Sequence, residues 1–380
     1  MRTSNYYYSG RFGIERETLR IDAEGRLAQS PHPFGNDKNI TRDFCENQIE
    51  IVTPVCNSID EAVASLADLD RKVREILTLN GERIWLYSNP PHFENEDDIP
   101  IADFTGDHSS KRAYRELLEK KYGKKLMLYS GIHFNFSFSE EYIRELNTEN
   151  EDFRTFRDEL YLRLYKQLMT HSWLIVLLTA SSPYYDASLD KDGEIGIIKS
   201  VYSSLRNSER GYWNKSIPLL DHRSVKTFVD SIRRLIENGS LYSASELYLP
   251  VRLKPKGTNS LDVLANNGVD HIELRMFDLN PSEPLGIAAN DLEFAHLLIL
   301  YLLSLPDISF GKDMQERAIR EHQNAALLEP DDDLLERGGT VLEQMTVFFA
   351  DNKNAHEIIE YEKNKLDSRK VISSISNIYV

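Results

Sequence analysis

Three short segments of the chain, residues 12–20, 131–137 and 271–276, have the pattern of β-strands. Successive side chains on a strand point to opposite faces, so polar residues collect on one face and apolar residues on the other. The charged and histidine side chains in these segments' polar positions are Glu15, Glu17, His133, His271, Glu273 and Arg275. Burying such a face is costly unless its charge is neutralised. Divalent cations with a polyphosphate would neutralise it, which indicates an enzyme.

In the longer segments, apolar residues recur with the spacing of an α-helix. Residues 58–79 begin with the capping box Ser58-Ile-Asp-Glu61 and continue with one apolar stripe, which predicts a helix. Residues 153–180 predict one or two long helices, and their almost wholly apolar second half indicates a central position. Further helices are predicted for residues 111–121, 224–237, 288–305, 312–327 and 340–366, and further strands for residues 42–53, 125–137, 246–254 and 268–279.

This order of elements favours one catalytic unit over residues 1–380. The strands with polar faces are spread from position 12 to 278, with helices grouped between them. We therefore predict an α+β fold, a mostly antiparallel sheet covered by helices, rather than an alternating βαβ fold. Residues 310–380 are expected to form a helical C-terminal extension. The Pro- and acid-rich residues 89–110 suit either a mobile lid or a surface loop, and we favour the lid.

Composition and charge exclude several classes of function. The 380 residues carry a formal net charge of −16, which argues against binding to nucleic acid or to an anionic membrane. The two cysteines, Cys45 and Cys56, have no metal-binding spacing and form no disulfide framework, which indicates a reducing, cytoplasmic setting. The N-terminus lacks a signal peptide, and the longest apolar run is far below the ~20 residues that span a bilayer. Walker, Rossmann and nucleophile-elbow motifs do not occur.

Each polar motif also has a purely structural explanation. Glu15 and Glu17 would form a solvated strand face with surface ion pairs, although the apolar residues around them favour an interior strand. A lone histidine in an apolar strand, such as His133, is more often hydrogen-bonded in the core than a metal ligand. Glu273 and Arg275 would pair with each other, but an arginine beside a carboxylate also suits phosphoryl transfer, where it stabilises charge on the transferring group.

An acidic segment, residues 43–50, leads into another apolar strand. Glu46, Gln48 and Glu50 share one face by the period of two, while Asp43 falls on the other face unless a bulge intervenes. Taken alone, this segment is better explained as a surface strand with a polar cap.

Taken together and in order, seven groups of residues resemble the glutamate–cysteine ligase family, and most closely the N-terminal half of the bifunctional bacterial glutathione synthetases. The groups are Gly13-Ile-Glu15-Arg-Glu17-Thr-Leu-Arg20, residues 41–54, Tyr114-Arg115 with Lys121-Tyr122-Gly123, residues 130–137, Ser204-Leu-Arg206 with Gly211-Tyr212, residues 246–252, and Ile272-Glu273-Leu-Arg275 with Asp278-Leu-Asn-Pro281. Each motif alone is weak, but the set in the family's order is specific.

The resemblance implies a glutamine-synthetase-like sheet that forms a funnel, with ATP and Mg²⁺ at one end and the amino acids at the other. The residues implied to hold two or three Mg²⁺ ions, or Mn²⁺ in their place, are Glu15, Glu17, Asp43, Glu50, His133 and Glu273. Arg275 and Glu273 are implied as catalytic, with Arg275 acting on the transferring phosphoryl group. Arg115 is implied to contact ATP phosphates and Arg206 to bind glutamate. The residues implied to bind the amine substrate are Tyr114, Phe44, Leu118, Tyr212, Tyr248, Met127 and Tyr129.

Two positions depart from the family pattern. Met127 stands where a glutamine is expected, on the strand face shared with His133, and makes the acceptor pocket more apolar. A different small amine or amino acid is therefore an alternative acceptor. Cys45, beside the pocket residue Phe44, stands where the family often has a small residue, and packing is favoured over a redox-sensitive thiol.

The leading hypothesis is an ATP- and Mg²⁺-dependent ligase that joins the γ-carboxylate of L-glutamate to the amine of L-cysteine, the first step of glutathione biosynthesis. The carboxylate is a poor electrophile, so it is first phosphorylated to a γ-glutamyl phosphate from which water must be excluded. The alternatives are the same chemistry on another amine, a two-metal phosphohydrolase, and an inactive homologue that binds or regulates. The expected partners are small molecules, and the expected state is a monomer or small homo-oligomer.

Overall fold

An antiparallel sheet forms the centre of the structure, a computed structural model that describes residues 7–104 and 109–368. The described residues form nine strands: β1 Gly10–Ile21, β2 Ile40–Arg42, β3 Gln48–Val52, β4 Arg83–Trp85, β5 Ile132–Phe138, β6 Tyr184–Asp186, β7 Ile197–Lys199, β8 Val251–Lys254 and β9 His271–Phe277. Seven form one sheet in the order β2-β3-β1-β5-β9-β8, with β4 also paired to β1, while β6 and β7 form a separate hairpin. Every strand pair of the described residues is antiparallel, which confirms the predicted sheet.

The described residues form ten α-helices. They are α1 Ile59–Leu79, α2 Ser109–Tyr122, α3 Glu140–Leu146, α4 Phe153–Thr179, α5 Val225–Glu237, α6 Leu261–Asn267, α7 Ala289–Ser304, α8 Lys312–Ala325, α9 Asp332–Phe348 and α10 Lys353–Ser368. Of these helices, α1 and α4 pack directly against the sheet. The predicted central helix is confirmed as α4, which contacts β8, β9 and the helices α5, α7, α8 and α10. The α+β fold class is therefore confirmed. Among the described residues, no helix has the length and apolarity needed to cross a membrane.

The capping box predicted the start of α1 correctly. Ser58 is the N-cap, and its hydroxyl accepts a hydrogen bond from the backbone N–H of Glu61 at 3.1 Å. The Glu61 carboxylate accepts from the backbone N–H of Asn57 at 2.9 Å, one residue earlier than in the full motif. Two otherwise unpaired amide groups at the helix start are thus satisfied.

The strand predicted for residues 125–137 is wrong in its first half. Lys125–Leu128 forms a short 3₁₀ turn, and β5 begins after it. The Lys125 ammonium group donates to two backbone carbonyls beyond β6, at 3.0 and 3.2 Å, which holds the turn against the β6–β7 hairpin. The strand period therefore does not apply to Met127 or Tyr129, and neither shares a strand face with His133.

Three other predicted elements are shorter or interrupted. The strand at 42–53 is divided into β2 and β3 by a turn, and the strand at 246–254 begins only after Pro250, which has no N–H for a ladder. The helix at 340–366 is two helices, α9 and α10. Asn352 separates them because its side-chain oxygen accepts from the N–H three residues later, at 3.0 Å, as a helix cap does.

The predicted lid at residues 89–110 falls partly outside the described residues, which omit 105–108. The preceding part is anchored. The Asn89 side-chain amide donates to two backbone carbonyls near β6, at 3.0 and 2.7 Å, and the Asp103 N–H donates to the Glu46 carboxylate at 2.9 Å. Closure of this segment over the site stays a prediction.

A buried ion pair joins the apolar side of the sheet to α1. Arg16 of β1 is fully buried, and its guanidinium donates to the Asp70 carboxylate at 2.6 Å and to the Leu285 carbonyl at 3.2 Å. Arg74 donates to the other Asp70 oxygen at 2.6 Å. Because Arg16 points away from Glu15 and Glu17, its charge is compensated by the helix layer and not by the polar face of the sheet.

Replacement of Asp70 by alanine would leave Arg16 charged and buried without a counter-ion. We expect Asp70→Ala to lower the free energy of unfolding by about 3–5 kcal/mol, the usual loss when one member of a buried pair is removed. Urea unfolding followed by circular dichroism would measure it. The matched control is Asp68→Ala on the exposed side of α1, whose pair with Arg71 is solvated and should contribute less than about 1 kcal/mol. Equal losses in the two variants would contradict the role of the ion pair.

Candidate active site

Strand register brings an acidic and imidazole cluster together on the polar face of the sheet. Glu15 of β1 lies opposite His133 of β5, and Asn135 of β5 lies opposite Glu273 of β9. His133 Nδ1 is 3.2 Å from Glu15 Oε2 and 3.6 Å from Glu273 Oε1, while His133 Nε2 is 3.6 Å from Glu17 Oε1. The Asn135 amide donates to Glu15 Oε1 at 3.0 Å. Three separate segments of the sequence thus meet at one histidine.

The cluster fits a divalent cation. Glu15, His133 and Glu273 each offer a ligand atom, and these atoms all lie within 4.8 Å of one another. His133 Nε2 and Glu273 Oε2 are buried and make no hydrogen bond within the described part of the chain. Buried polar atoms without hydrogen bonds are uncommon, and a bound ion is one recognised reason for them. Carboxylate oxygens with one imidazole suit Mg²⁺ or Mn²⁺.

Positive side chains compensate the end of the cluster at Glu273. Burial alone would raise the pKa of the Glu273 carboxyl, but Lys254, Arg275 and Arg252 hold it well below its ordinary value. Lys254 Nζ lies 3.4 Å from Glu273 Oε2, and Arg275 Nη1 donates to Glu273 Oε1 at 3.3 Å. Glu273 raises the pKa of Arg275 in turn, against the effect of burial. This pair is ionised and fixed in place.

The opposite end of the cluster collects carboxyl groups that repel one another, and Arg115 offsets this repulsion only in part. Glu50 of β3 lies opposite Glu17 of β1 in the antiparallel register. Burial raises the pKa of Glu50 well above its ordinary value, and Asp43, Glu15 and Glu17 raise it further. The pKa of Glu17 is also raised, first by burial and next by Asp43, although His133 opposes this. A cation bound here would relieve the repulsion.

The turn between β2 and β3 brings Asp43 and Arg115 to the same end. Arg115 of α2 donates through Nε to the Asp43 carbonyl, and its Nη2 is 3.7 Å from the Asp43 carboxylate. Its guanidinium also lies over the Phe104 ring, 4.6 Å from the centroid. Glu46 does not join the cluster, because it pairs with Arg42 at 3.0 Å and accepts backbone N–H groups.

Most of the residues implied for the amine substrate lie in one apolar group. Its buried members include Phe44, Leu118, Met127 and Tyr248, with Tyr114 and Tyr212 packed against them. The Tyr212 and Tyr248 rings are 4.2 Å apart between centroids. Tyr129 lies in a different apolar group, with Tyr185 and Tyr202. The structure therefore brings six of the seven residues together and places Tyr129 apart.

Arg206 occupies space that only a glycine at position 131 allows. A Cβ on Gly131 would lie 2.4 Å from the Arg206 guanidinium carbon, closer than any real contact. The guanidinium donates to the carbonyls of Arg275, at 2.6 Å, and Phe277, at 3.4 Å. Gly131 is thus required for the placement of Arg206, because any larger side chain would displace the guanidinium.

A small cavity connects these arginines to the tyrosine pair. Its lining includes Arg206, Arg275, Tyr212, Tyr248, Trp213 and His322. Burial raises the pKa of Tyr248 and of Tyr212 above the ordinary value, so both hydroxyl groups stay protonated at neutral pH and can donate hydrogen bonds. Two fixed guanidinium groups and two hydroxyl groups around one cavity suit an amino acid carboxylate.

Several residues with a place in the site were missed from the sequence. The sequence analysis gives no role to Lys254, Asn135 or Glu246, although Asn135 and Glu246 lie within the groups that resemble the family. Glu246 is fully buried, accepts from the Tyr122 hydroxyl at 2.6 Å and pairs with Lys121, which anchors α2 beside the tyrosine pair. The alternation on β8 does predict that Arg252 and Lys254 share a face. Their closeness to Glu273 needs the β8–β9 pairing, which is not a local signal.

Comparison with known proteins agrees with this geometry. A family model described as glutamate-cysteine ligase matches residues 2–325. The chain belongs to the glutamate–cysteine ligase family. It is 40% identical over 340 residues to the glutathione biosynthesis bifunctional protein of Listeria innocua, covering 85% of this chain and 44% of that protein. It is 34% identical over 385 residues to a glutamate–cysteine ligase of Clostridium acetobutylicum, covering 87% of this chain and 79% of that one.

Solved structures give the same family relationship. The bifunctional glutathione synthetase from Pasteurella multocida superposes with a TM-score of 0.85 at 26% identity, covering 98% of this chain and 50% of that one. The glutamate–cysteine ligase from Francisella tularensis, solved with AMP, gives 0.87 at 25% identity, covering 97% and 84%. The chain spans less than half the length of the bifunctional Listeria relative, so the activity of that whole protein is not carried over directly.

Cys45 has the environment of a packing residue in this member of the glutamate–cysteine ligase family. Its side chain is fully buried in the apolar group that contains Phe44 and Leu118. Burial and the nearby charge of Asp43 raise the pKa of the thiol above its ordinary range. A neutral, inaccessible thiol reacts slowly with oxidants, so packing explains Cys45 better than redox sensing.

Glu50 should make stability depend on pH and on divalent cations. Because its folded pKa lies above the unfolded value, its favourable contribution is complete below about pH 4 and is lost as pH rises through the folded pKa. We expect metal-free Glu50→Gln at pH 8 to be more stable than the parent protein by about 1–2 kcal/mol, and the gain to disappear near pH 4. Thermal melts with EDTA or Mg²⁺ would also give a smaller Mg²⁺ stabilisation in the variant.

Glu46→Gln is the matched control, because Glu46 lies in the same segment but pairs with Arg42. Burial opposes ionisation of Glu46, but backbone N–H donors and Arg42 hold its pKa below the ordinary value. This substitution should lower stability at pH 8 and leave the Mg²⁺ effect unchanged. A Glu50→Gln protein that is less stable than the parent without metal would refute the repulsion argument.

Proposed function

We propose that this chain is an ATP-dependent ligase that joins the γ-carboxylate of L-glutamate to the amine of L-cysteine, the first step of glutathione biosynthesis. One observation carries the proposal. Glu273 and Arg275 of β9 border the acidic cluster, while the carbonyl of Arg275 holds Arg206 at the cavity with the tyrosine pair. A phosphoryl-transfer end and a carboxylate-binding end thus adjoin. Membership of the glutamate–cysteine ligase family supports the same reaction.

The acidic cluster would be the metal and ATP end of the site. The residues proposed to hold two or three Mg²⁺ ions are Glu15, Glu17, Asp43, Glu50, His133 and Glu273. These residues would hold metal ions that supply positive charge, which lowers the repulsion between the ATP phosphates and the glutamate carboxylate. Arg275, oriented by Glu273, would donate to the phosphoryl group during its transfer, and Arg115 would contact the ATP phosphates. The charge that develops on the γ-phosphate is met by a guanidinium already fixed by its carboxylate partner.

The cavity would hold the amino acids. Arg206 would bind glutamate, and the Tyr212 and Tyr248 hydroxyl groups would donate to the carboxylate of the amine substrate. Phe44, Leu118, Met127 and Tyr114 would surround its side chain, since they form one apolar group beside these hydroxyl groups. The acceptor's neutral amine would then attack the γ-glutamyl phosphate and release inorganic phosphate. The placement of Tyr129 in a separate group favours a packing role for it.

A different amine acceptor is the second candidate, and Met127 is the observation that favours it. Its side chain is almost fully buried in the apolar group next to Phe44 and Leu118. An apolar lining accepts the side chain of 2-aminobutyrate or alanine as readily as that of cysteine, because a pocket of this kind discriminates weakly between similar small groups.

We also propose a cytoplasmic setting, supported by two buried cysteines that form no disulfide, and a monomer or small homo-oligomer.

Purified protein with ATP, Mg²⁺ and glutamate should form ADP only when a suitable amine is also present. We expect the highest kcat/KM with cysteine in a panel that includes 2-aminobutyrate, alanine and glycine, with the γ-glutamyl product identified by mass spectrometry. ADP formation that is equal without glutamate would reject the ligase and favour a phosphohydrolase. A requirement for glutamate without preference for cysteine would retain the reaction class and reject the acceptor.

Arg275→Ala should lower kcat by about a thousandfold or more, because a pre-oriented cation at the transferring group is lost. Glu273→Gln should be comparably inactive, since it removes both a proposed metal ligand and the partner of Arg275. The matched control is Arg233→Ala on α5, an arginine whose pair with Asp262 is solvent-exposed. Circular dichroism would check that all three variants fold. Full activity in either site variant would remove that residue from the proposed mechanism.

A further inference from the structure

The segment that carries Arg206 lies between the sheet and the C-terminal helices. Residues 203–208 form no helix or strand. On the sheet side, the Arg206 and Asn207 side chains donate to the carbonyls at the end of β9. On the other side, the N–H groups of Ser203 and Ser204 donate to the carbonyl of Ala326, which ends α8, at 2.7 and 3.2 Å. The helix thus helps to set the position of the arginine.

His322 of α8 makes the second contact from this side. Its Nε2 lies 3.2 Å from Asn207 Oδ1, and its Nδ1 lies 2.9 Å from the Ser172 hydroxyl of α4. The ring is buried, packs edge-on against Trp213 at 5.2 Å and lines the cavity that Arg206 and Arg275 share. One imidazole therefore links its own helix, α8, to α4 and to the segment that carries the arginine.

The direction of these hydrogen bonds follows from Asn207. Its Nδ2 group has three acceptors, Ser204 Oγ at 2.9 Å, the Met276 carbonyl at 3.0 Å and Asp278 Oδ1 at 3.3 Å, so its Oδ1 is the atom that faces the histidine. His322 Nε2 must then be the donor. Burial and the nearby Arg206 lower the pKa of His322 to about 3, so the ring is neutral and its Nδ1 can only accept. The Ser172 hydroxyl is the donor to Nδ1 at 2.9 Å, in preference to its other acceptor, the Met169 carbonyl at 3.1 Å.

We propose that His322 is a positioning residue for glutamate binding, acting through Asn207 on Arg206. This inference rests on the proposed function, in which Arg206 binds glutamate. Without the donor at Nε2, Asn207 Oδ1 would be buried without a partner, and the segment would have to shift to reach another donor. A shift of residues 206–207 displaces Arg206 from Gly131, where the space for its guanidinium is tightly limited. The ATP end, built from other segments, would be affected less.

The test compares steady-state constants for glutamate and for ATP in the full chain. His322→Phe keeps a ring against Trp213 but has no donor. We expect it to raise KM for glutamate about tenfold, the ratio that corresponds to a buried hydrogen bond, while KM for ATP changes less than about twofold. His322→Gln should restore KM for glutamate to within about threefold of the parent, because its amide N–H can reach the position of Nε2.

His296→Phe is the matched control for the loss of a buried histidine. His296 of α7 is buried against Phe12 and Phe136, and its pKa is lowered by burial to about 3. This variant is expected to change the unfolding midpoint but not the ratio of the two KM values. If His322→Phe does not fold, Ser172→Ala replaces it, since removal of the donor to Nδ1 should raise KM for glutamate in the same direction.

Each outcome decides the inference. An unchanged glutamate KM in His322→Phe, or in Ser172→Ala as its replacement, would overturn it. Equal increases in both KM values, or no recovery in His322→Gln, would reduce His322 to a structural residue and also overturn it. A parent protein that forms ADP without any need for glutamate would reject the proposed function itself, and the inference with it. That result is distinguished by the parent protein alone, before any variant is compared.

Discussion

The burial of like charge on one face of the sheet is the constraint on which the rest of this structure depends. Glu15 and Glu17 of β1, Glu50 of β3 and Glu273 of β9 share one face, with β5 between β1 and β9. Among the described residues, Glu273 is the one of these four with Lys or Arg side chains in direct contact. Ionised carboxylates of this kind cannot stay buried without compensation. The two ends of the cluster therefore differ. Lysine and arginine side chains neutralise the carboxylate at β9, whereas the carboxyl groups around Glu50 need an added cation.

Packing of the apolar side of the sheet against the helices holds this cluster in place. Each polar residue of β1 and β9 alternates with a residue that packs into the helix layer, so the strand register is over-determined by burial. Arg16 and Arg20 of β1 are exceptions, but they are paired with Asp70 and Glu82 and do not weaken the layer. A one-residue slip of β1 would bury Glu15 and Glu17 among helices and expose Ile14 to the charged face. The core therefore specifies the geometry of the site, as well as the stability of the fold.

The sequence predicts local features well and long-range contacts poorly, for physical reasons. Alternation along β1 and β9 places their polar residues correctly, and the cap at Ser58 and the apolar half of α4 are local signals as well. The strand position predicted for Met127 is wrong because Lys125 holds this segment in a turn, by donating to carbonyls more than sixty residues away. The contact of Lys254 with Glu273 was not predicted for a similar reason, since it depends on the pairing of β8 with β9 and not on spacing in the chain. The ordered resemblance to a family supplied the residues, such as Arg206, that no local pattern distinguishes.

A single strand links the two ends of the proposed reaction. On β9, the side chains of Glu273 and Arg275 face the acidic cluster, while the backbone carbonyls of Arg275 and Phe277 accept from Arg206. The guanidinium proposed to act on the phosphoryl group and the one proposed to bind glutamate are thus held by the same three residues of backbone. An in-line transfer between bound ATP and a bound carboxylate needs their separation to be constant to a fraction of an ångström. A strand paired on both sides by β5 and β8 is rigid enough to keep it so, whereas two arginines on separate loops would have to be ordered by the substrates at the expense of binding energy.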